Sequence, residues 1–258
     1  VLMSWAVAIF GMTPFGWRFA GALAGILMIP GVYLLGKQLT KKTSIASIAA
    51  ILISLDCMHL TQTQIATIDS FPVLFIIFAY FFMLRFIQTD FVRLPLRKSL
   101  IALAMSGLSL GLSIASTWIG IYAGAGLAVL FFWHIFRMIR ISREARTLSE
   151  NPSVTPAEKE YLSQYTGTNG NGQLPVFGKV LWICHWYIVF FVVIPIGIYL
   201  LSYIPFMVKR TDIHSFGDYL SAVWNSQLGM LNYHSKPGLG MDHPFYSPWW
   251  EWPVIGKP

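Results

Sequence analysis

The stretch GWRFAGALAGILMIPGVYLLG, residues 16–36, carries a single charge, Arg18, near its start and none after it. A helix rises about 1.5 Å per residue, so about 20 such residues cross the roughly 30 Å hydrocarbon core of a bilayer. The stretch therefore predicts a membrane span, and it ends in Lys37, Lys41 and Lys42. Outward from it the pattern repeats. Thr43–Leu60 is uncharged until Asp56, and Ile68–Ile87 runs to Arg85 and a basic connection. Ser99–Ser116 and Thr117–Phe136 follow with almost no loop between them, and Val180–Pro205 is the last apolar run. The reading is an all-α polytopic membrane protein of about six spans. The runs are too long and too continuously apolar for the alternating strands of an outer-membrane barrel.

Composition agrees. Of 258 residues 55% are apolar and only 11% charged, against roughly a quarter charged in soluble globules, and mean hydropathy is +0.60. The net charge of +7 is no sign of nucleic acid binding, because the basic residues are not gathered on one polar face. Of 18 Lys and Arg, all but five lie in three connections: Lys37, Lys41 and Lys42; Arg85, Arg93, Arg97 and Lys98; and Arg137, Arg140, Arg143, Arg146, Lys159 and Lys179. By the bias of Lys and Arg toward the cytoplasmic side, those connections are expected inside. Asp56, Asp69, Trp118 and the aromatic-rich segment 206–258 are then expected outside. The domain plan is spans with an interfacial N-terminal segment over 1–136, a cytoplasmic loop over 137–179, a span over 180–205 and an external segment over 206–258.

Small residues at helical spacing, Gly21, Ala24 and Gly25, and Gly107, Gly111 and Ala115, suit close helix packing. In the 137–179 stretch, Thr155 and Glu158 predict a capping box for a short helix over Pro156–Gln164. Cys57 and Cys184 lie in or beside different apolar runs. They imply neither a disulfide framework nor a zinc site, and read as small packing residues.

Three groups of residues stand apart from packing. Asp56 and Asp69 sit at outer helix ends, each either an ordinary interfacial charge or a functional carboxylate that serves as base or ligand. Asp69 has a further structural reading, as cap of a helix starting at Ser70–Phe71. Arg18 either anchors its span at the interface beside Trp17 or offers a phosphate its two parallel donors. The segment from Tyr219 to Pro253 packs His234, Asp242, His243, Glu251, Trp249, Trp250 and Trp252 into a short, proline-stiffened region. An aromatic belt explains part of it; stacking on sugar rings, with polar groups bonding the hydroxyls, explains the density. Neither His–carboxylate spacing fits a zinc signature, so no metal site is expected. No cofactor is predicted, and a divalent-metal requirement is left open.

Four stretches carry a family resemblance: GMTPFGWRFAGAL at 11–23, LDCMHLTQTQIATID at 55–69, GLSLGLSIASTWIGIY at 107–122, and YH at 233–234 with HPFYSPWWEWP at 243–253. Together they resemble the protein O-mannosyltransferases, the dolichyl-phosphate-mannose–protein mannosyltransferases of the GT-C glycosyltransferase class. The last stretch is the most specific. The resemblance implies an inverting transfer of mannose from a polyprenyl- or dolichyl-phosphate donor to a Ser or Thr hydroxyl of a protein acceptor. It implies substrate-binding roles for Arg18, His234, His243, Ser247, Trp249 and Trp252, with Asp69 a weaker candidate base. The family's acidic pair is expected upstream of Val1 and its last spans downstream of Pro258, so the chain reads as an internal fragment. Gln64 stands where the family often has Arg, and Thr117 where it has Lys. The 206–258 segment is too short for the family's eukaryotic β-trefoil module, so a bacterial plasma membrane with the active face outside is the expected setting. The rivals are a transferase with a lipid or glycan acceptor, and a transporter or flippase.

Overall fold

In the computed structural model, the described residues are 2–65, 67–89, 96–151, 153–166, 176–208 and 210–236. The elements follow the apolar runs. A short helix α1 (Leu2–Phe10) precedes α2 (Pro14–Thr40), which contains the whole 16–36 stretch. Then come α3 (Thr43–Leu55), α4 (Cys57–Gln64), α5 (Ser70–Gln88), α6 (Leu96–Ser116) and α7 (Ile119–Ser149). After α8 (Pro156–Thr166), α9 (Val176–Ile188) runs through a π-helical turn at Val189–Val193 into α10 (Ile194–Met207), and α11 spans Phe216–His234. Among the described residues five helices are long and apolar enough to cross a bilayer, and the bent pair α3–α4 makes a sixth crossing when counted as one span. The protein is an all-α polytopic membrane protein.

Three boundaries differ from the sequence reading. Thr43–Leu60 is not one straight span: the chain bends by 57° between α3 and α4, because Asp56 leaves helical dihedrals and restarts the helix as its cap. α7 does not stop at Phe136 but continues to Ser149. Its extension is held by i,i+4 ion pairs, Arg140–Glu144 at 2.7 Å and Arg146–Glu150 at 3.4 Å, on residues of good helix propensity. The last run is interrupted by the widened turn ahead of Pro195, a residue that cannot donate to the regular ladder and whose ring needs room behind it. The short helix after Thr155 forms as expected. Thr155 N–H donates to Glu158 at 2.9 Å, and Glu158 N–H donates back to Thr155 Oγ1 at 3.4 Å.

The chain divides into two units, Val1–Ser202 and Tyr203–Pro258. In the first, α6 is the centre: half of its span is buried, against 6% for the Phe177–Met207 span. Its core unites Ala79, Met83 and Phe86 of α5, Leu103 and Leu110 of α6, Leu127 and Phe131 of α7 and Ile183 of α9. Buried hydroxyls tie the helices together. Ser106 donates to the Ala79 carbonyl at 2.8 Å and Ser113 to the Pro72 carbonyl at 3.2 Å. At the basic end Gln88 joins α5 to α2, donating to the Gln38 carbonyl at 2.9 Å and accepting from Gln38 and Lys41. Outward faces carry Ile26, Ile48, Ile101, Phe132 and Val193, all more than half exposed, which only lipid can cover favourably.

Glycine spacing does the packing work expected of it. A Cβ on Gly107 would lie 2.3 Å from the Phe190 carbonyl oxygen, and one on Gly111 3.1 Å from Pro195 Cα. α6 therefore meets the widened turn backbone to backbone.

In the second unit α11 starts on a capping box, with Asp218 N–H donating to Ser215 Oγ at 3.1 Å and Ser215 N–H to Asp218 at 2.8 Å. Gln227 Nε2 donates to the Tyr203 hydroxyl at 2.8 Å, which fastens α11 to the last turns of α10.

Candidate functional site

At the end of the first unit opposite Gln88, several helix ends and two turns converge. α2 begins there because Thr13, extended, accepts Gly16 N–H at 3.1 Å and Pro14 supplies a preset first helical position. The α1–α2 turn needs glycine twice. Gly11 has φ +76°, and a Cβ on Gly16 would overlap the Gly11 carbonyl oxygen at 2.2 Å. Phe10, Phe15 and Phe19 pack there with ring centroids 4.6–5.5 Å apart, and Arg18 leaves the same first turns exposed.

α4 lies across α2 at Gly21 and Gly25. A Cβ on Gly21 would lie 2.8 Å from the Thr63 carbonyl oxygen, and one on Gly25 2.7 Å from Thr63 Cβ. The irregular backbone around α4 is satisfied by its own side chains. Asp56 accepts Met58 N–H at 3.3 Å and His59 N–H at 3.0 Å. Thr63 donates to the His59 carbonyl at 2.9 Å, and Thr67 and Ser70 donate to that of Gln62 at 3.0 and 3.4 Å. Cys57 is exposed at the start of α4, so the packing role expected for it does not hold; Cys184 is half-buried.

The two acids at the helix ends are thereby separated. Asp56 is the cap. Asp69 occupies the cap position of α5, but its backbone is already helical (φ −71°, ψ −23°) and its side chain makes no capping bond. The capping reading of Asp69 is thus overturned, because an αR residue points its carboxylate away from the amides ahead of it. Among the described residues Asp69 and Arg18 make no side-chain hydrogen bond or ion pair, and both are exposed. A free carboxylate and a free guanidinium at one end of one unit can act on a hydroxyl proton and on a phosphate respectively.

Two neighbours escaped sequence reading. Trp118 Nε1 donates to the Tyr199 hydroxyl at 3.2 Å, tying the α6–α7 turn to α10. Thr63 is buried at 6% exposure as the residue on which α4 is seated. A tyrosine near the end of an apolar run was the available signal for Tyr199; Thr63 had none.

His234 ends α11 in the second unit, exposed, with its ring edge-on to Tyr233 at 5.2 Å. His243, Ser247, Trp249 and Trp252 lie outside the described residues.

The profile of the dolichyl-phosphate-mannose-protein mannosyltransferase family matches residues 4–214, most of both the bundle and this end of it. The chain belongs to that family. A polyprenol-phosphate-mannose–protein mannosyltransferase of Mycobacterium tuberculosis is 24% identical over 97% of this mannosyltransferase-family chain and 49% of its own length. Proteins of the same name from Mycolicibacterium smegmatis and Corynebacterium glutamicum match at the same identity and coverage. The chain spans about half the length of the curated relatives it matches. No solved structure matches it. The matched segment includes Arg18, Asp56 and Asp69 and leaves out His234 and the aromatic segment beyond it.

Proposed function

We propose that the protein containing this chain transfers mannose from a polyprenyl-phosphate carrier to Ser or Thr hydroxyls of proteins at the outer face of a bacterial plasma membrane. The family match over 4–214 carries this reading, and the relatives' names supply the donor and acceptor class. The outer placement rests on the clustering of Lys and Arg at the opposite helix ends.

In that reaction the acceptor oxygen attacks the anomeric carbon, the bond to the carrier phosphate breaks, and the configuration inverts. The hydroxyl proton passes to a carboxylate acting as general base, and the phosphate leaves with its charge held by cationic donors. Arg18 is the proposed phosphate ligand, since its guanidinium is exposed and uncommitted in the first turns of a span. Asp69 is a candidate base of lower rank than a carboxylate contributed from elsewhere in the protein. His234, His243, Ser247, Trp249 and Trp252 are proposed for holding donor or acceptor.

The test is a radiolabelled polyprenyl-phosphate-mannose assay with a Ser/Thr peptide, on membranes holding the protein and its Arg18→Ala and Asp69→Asn variants. Label on the peptide, weakened by Arg18→Ala mainly through the donor KM, supports the reading. Label on lipid or glycan instead moves the acceptor. A bent span also occurs in transporters, so substrate flux in vesicles with no transfer would replace the enzyme reading altogether.

A further inference from the structure

The second unit carries a face that its own packing does not explain. α11 turns Tyr219, Val223 and Gln227 toward the end of α10: Val223 is buried, Tyr219 and Gln227 are half-buried, and Gln227 bonds Tyr203. A different side of the same helix is exposed and apolar: Phe216 at 72%, Trp224 at 64% and Leu231 at 50%, with Leu220 and Leu228 between them. At about 100° per residue these five fall within an arc of roughly 120°. Next to this stripe around the helix, over a further arc of roughly 60°, lie Asp218, Ser221, Asn225 and Asn232, all exposed.

Where this helix sits is decided by what it is fastened to. Tyr203 belongs to the last turns of a span that ends at Met207. On those turns Ile204 and Phe206 are 42% and 59% exposed, and in a membrane-crossing helix such residues are covered by lipid. A helix bonded to Tyr203 through Gln227 is held, at that point, near the depth where the span leaves the bilayer. There an apolar stripe beside a polar face has a natural medium, the boundary between headgroups and acyl chains.

We propose that α11 lies along the membrane surface with Phe216, Leu220, Trp224, Leu228 and Leu231 in the lipid and Asp218, Ser221, Asn225 and Asn232 toward water. The helix carries His234 at its end, so this arrangement holds His234 near the membrane surface. The surface placement itself does not depend on the proposed transfer activity.

The test uses the full-length protein in phosphatidylcholine–phosphatidylglycerol vesicles, with its native cysteines, Cys57 and Cys184 among them, replaced by serine. Nitroxide labels are placed through Leu220→Cys, Trp224→Cys, Asn225→Cys and Asn232→Cys. Collision with oxygen, which concentrates in lipid, is compared with collision with a water-soluble nickel chelate. The oxygen-to-nickel ratio is expected to be higher at 220 and 224 than at 225 and 232. Equal ratios on both faces, or a higher ratio at 225 and 232, overturn the proposal. Shielding of 220 and 224 from both reagents also overturns it, in favour of a second copy or a protein partner. Quenching by brominated lipids, compared between the unsubstituted protein and Trp224→Phe, decides the matter without labels: no loss of quenched emission in Trp224→Phe places the stripe outside lipid.

Discussion

The seat of α4 on α2 can be broken in a way that distinguishes side-chain from backbone crowding. A methyl at Gly25 would lie 2.7 Å from Thr63 Cβ and Cγ2 and 2.8 Å from its Oγ1. Ordinary carbon contacts are about 3.5–4.0 Å, so α4 must withdraw by about 1 Å or Thr63 must turn. Thr63 is not free to turn, because its hydroxyl is bonded to the carbonyls of both His59 and Leu60, at 2.9 and 3.1 Å. Overpacking of this kind costs about 1–3 kcal/mol, and each kcal/mol moves the midpoint of a chain this size by roughly 2–4 °C. Gly25→Ala is therefore expected to lower the thermal midpoint of the detergent-solubilised protein by roughly 2–12 °C. Thr63→Gly removes all three clashing atoms, so in that background Gly25→Ala should cost almost nothing more. Gly21→Ala behaves differently, since its clash at 2.8 Å is with the Thr63 carbonyl oxygen, which no substitution at 63 removes. The double-mutant cycle with Thr63→Gly should show coupling for Gly25 and none for Gly21. If both glycines tolerate alanine, or if Thr63→Gly rescues them equally, α4 does not sit where the structure places it.

Other perturbations sort the remaining features. Asp56→Ala should lower the midpoint by the equivalent of about 1 kcal/mol through loss of a cap, while Asp69→Ala leaves it unchanged; equal losses in a thermal-shift assay refute the assignment. Gly107→Ala, which drives a methyl against the Phe190 backbone, should be far more damaging than Gly124→Ala, whose Cβ meets only Leu110 side-chain carbons at 3.4 and 3.6 Å; expression and monodispersity in detergent report the difference. The bonds from the Thr155 backbone and hydroxyl hold the Glu158 carboxyl below its ordinary pKa. A lowered folded-state pKa contributes stability that is complete above the unfolded value of about 4.3 and is lost as pH falls through the folded one. Hydrogen-exchange protection of the first turn of α8, corrected for intrinsic rate, should then be flat from neutrality to about pH 5 and fall below about pH 4. Glu158→Ala should remove that dependence.

The fold was legible because lipid leaves a chain few choices: backbone groups must bond within a helix, so long apolar runs such as 16–36 are read with little ambiguity. The Thr155–Glu158 box was legible for a local reason, since both partners lie within four residues. The break at Asp56 was not. Its apolar run continues across the bend, and Asp56 and Asp69 look alike in sequence, each one acid in an apolar setting before a helix. They differ only in backbone state, extended (φ −72°, ψ 114°) at 56 and helical at 69, which the surrounding packing decides. Thr63 was invisible for the same reason, its importance coming from two glycines on another helix. The specific motif HPFYSPWWEWP lies outside both the described residues and the segment matched by the family, so that part of the reading rests on the sequence resemblance alone.

The placement of the candidate site follows from the cost of irregular backbone. A helix broken within lipid leaves amides and carbonyls without partners, each costing several kcal/mol. This chain breaks one run and keeps the break inexpensive: Asp56 takes two amides, Thr63 and Thr67 cover carbonyls, and α4 is pressed into the glycine groove of α2. The break redirects the chain across the end of the bundle instead of letting it run straight on. The following turn then delivers Asp69 onto the same end as Arg18, with neither side chain spent on the fold. Asp56 spends its charge on holding the turn so that Asp69 does not have to. Replacing Asp56 should therefore lower transfer only as far as it lowers stability, whereas any role of Asp69 must appear in transfer with stability intact. A single pair of measurements on each variant, midpoint and label transfer, separates the acid that builds the site from the acid the site presents.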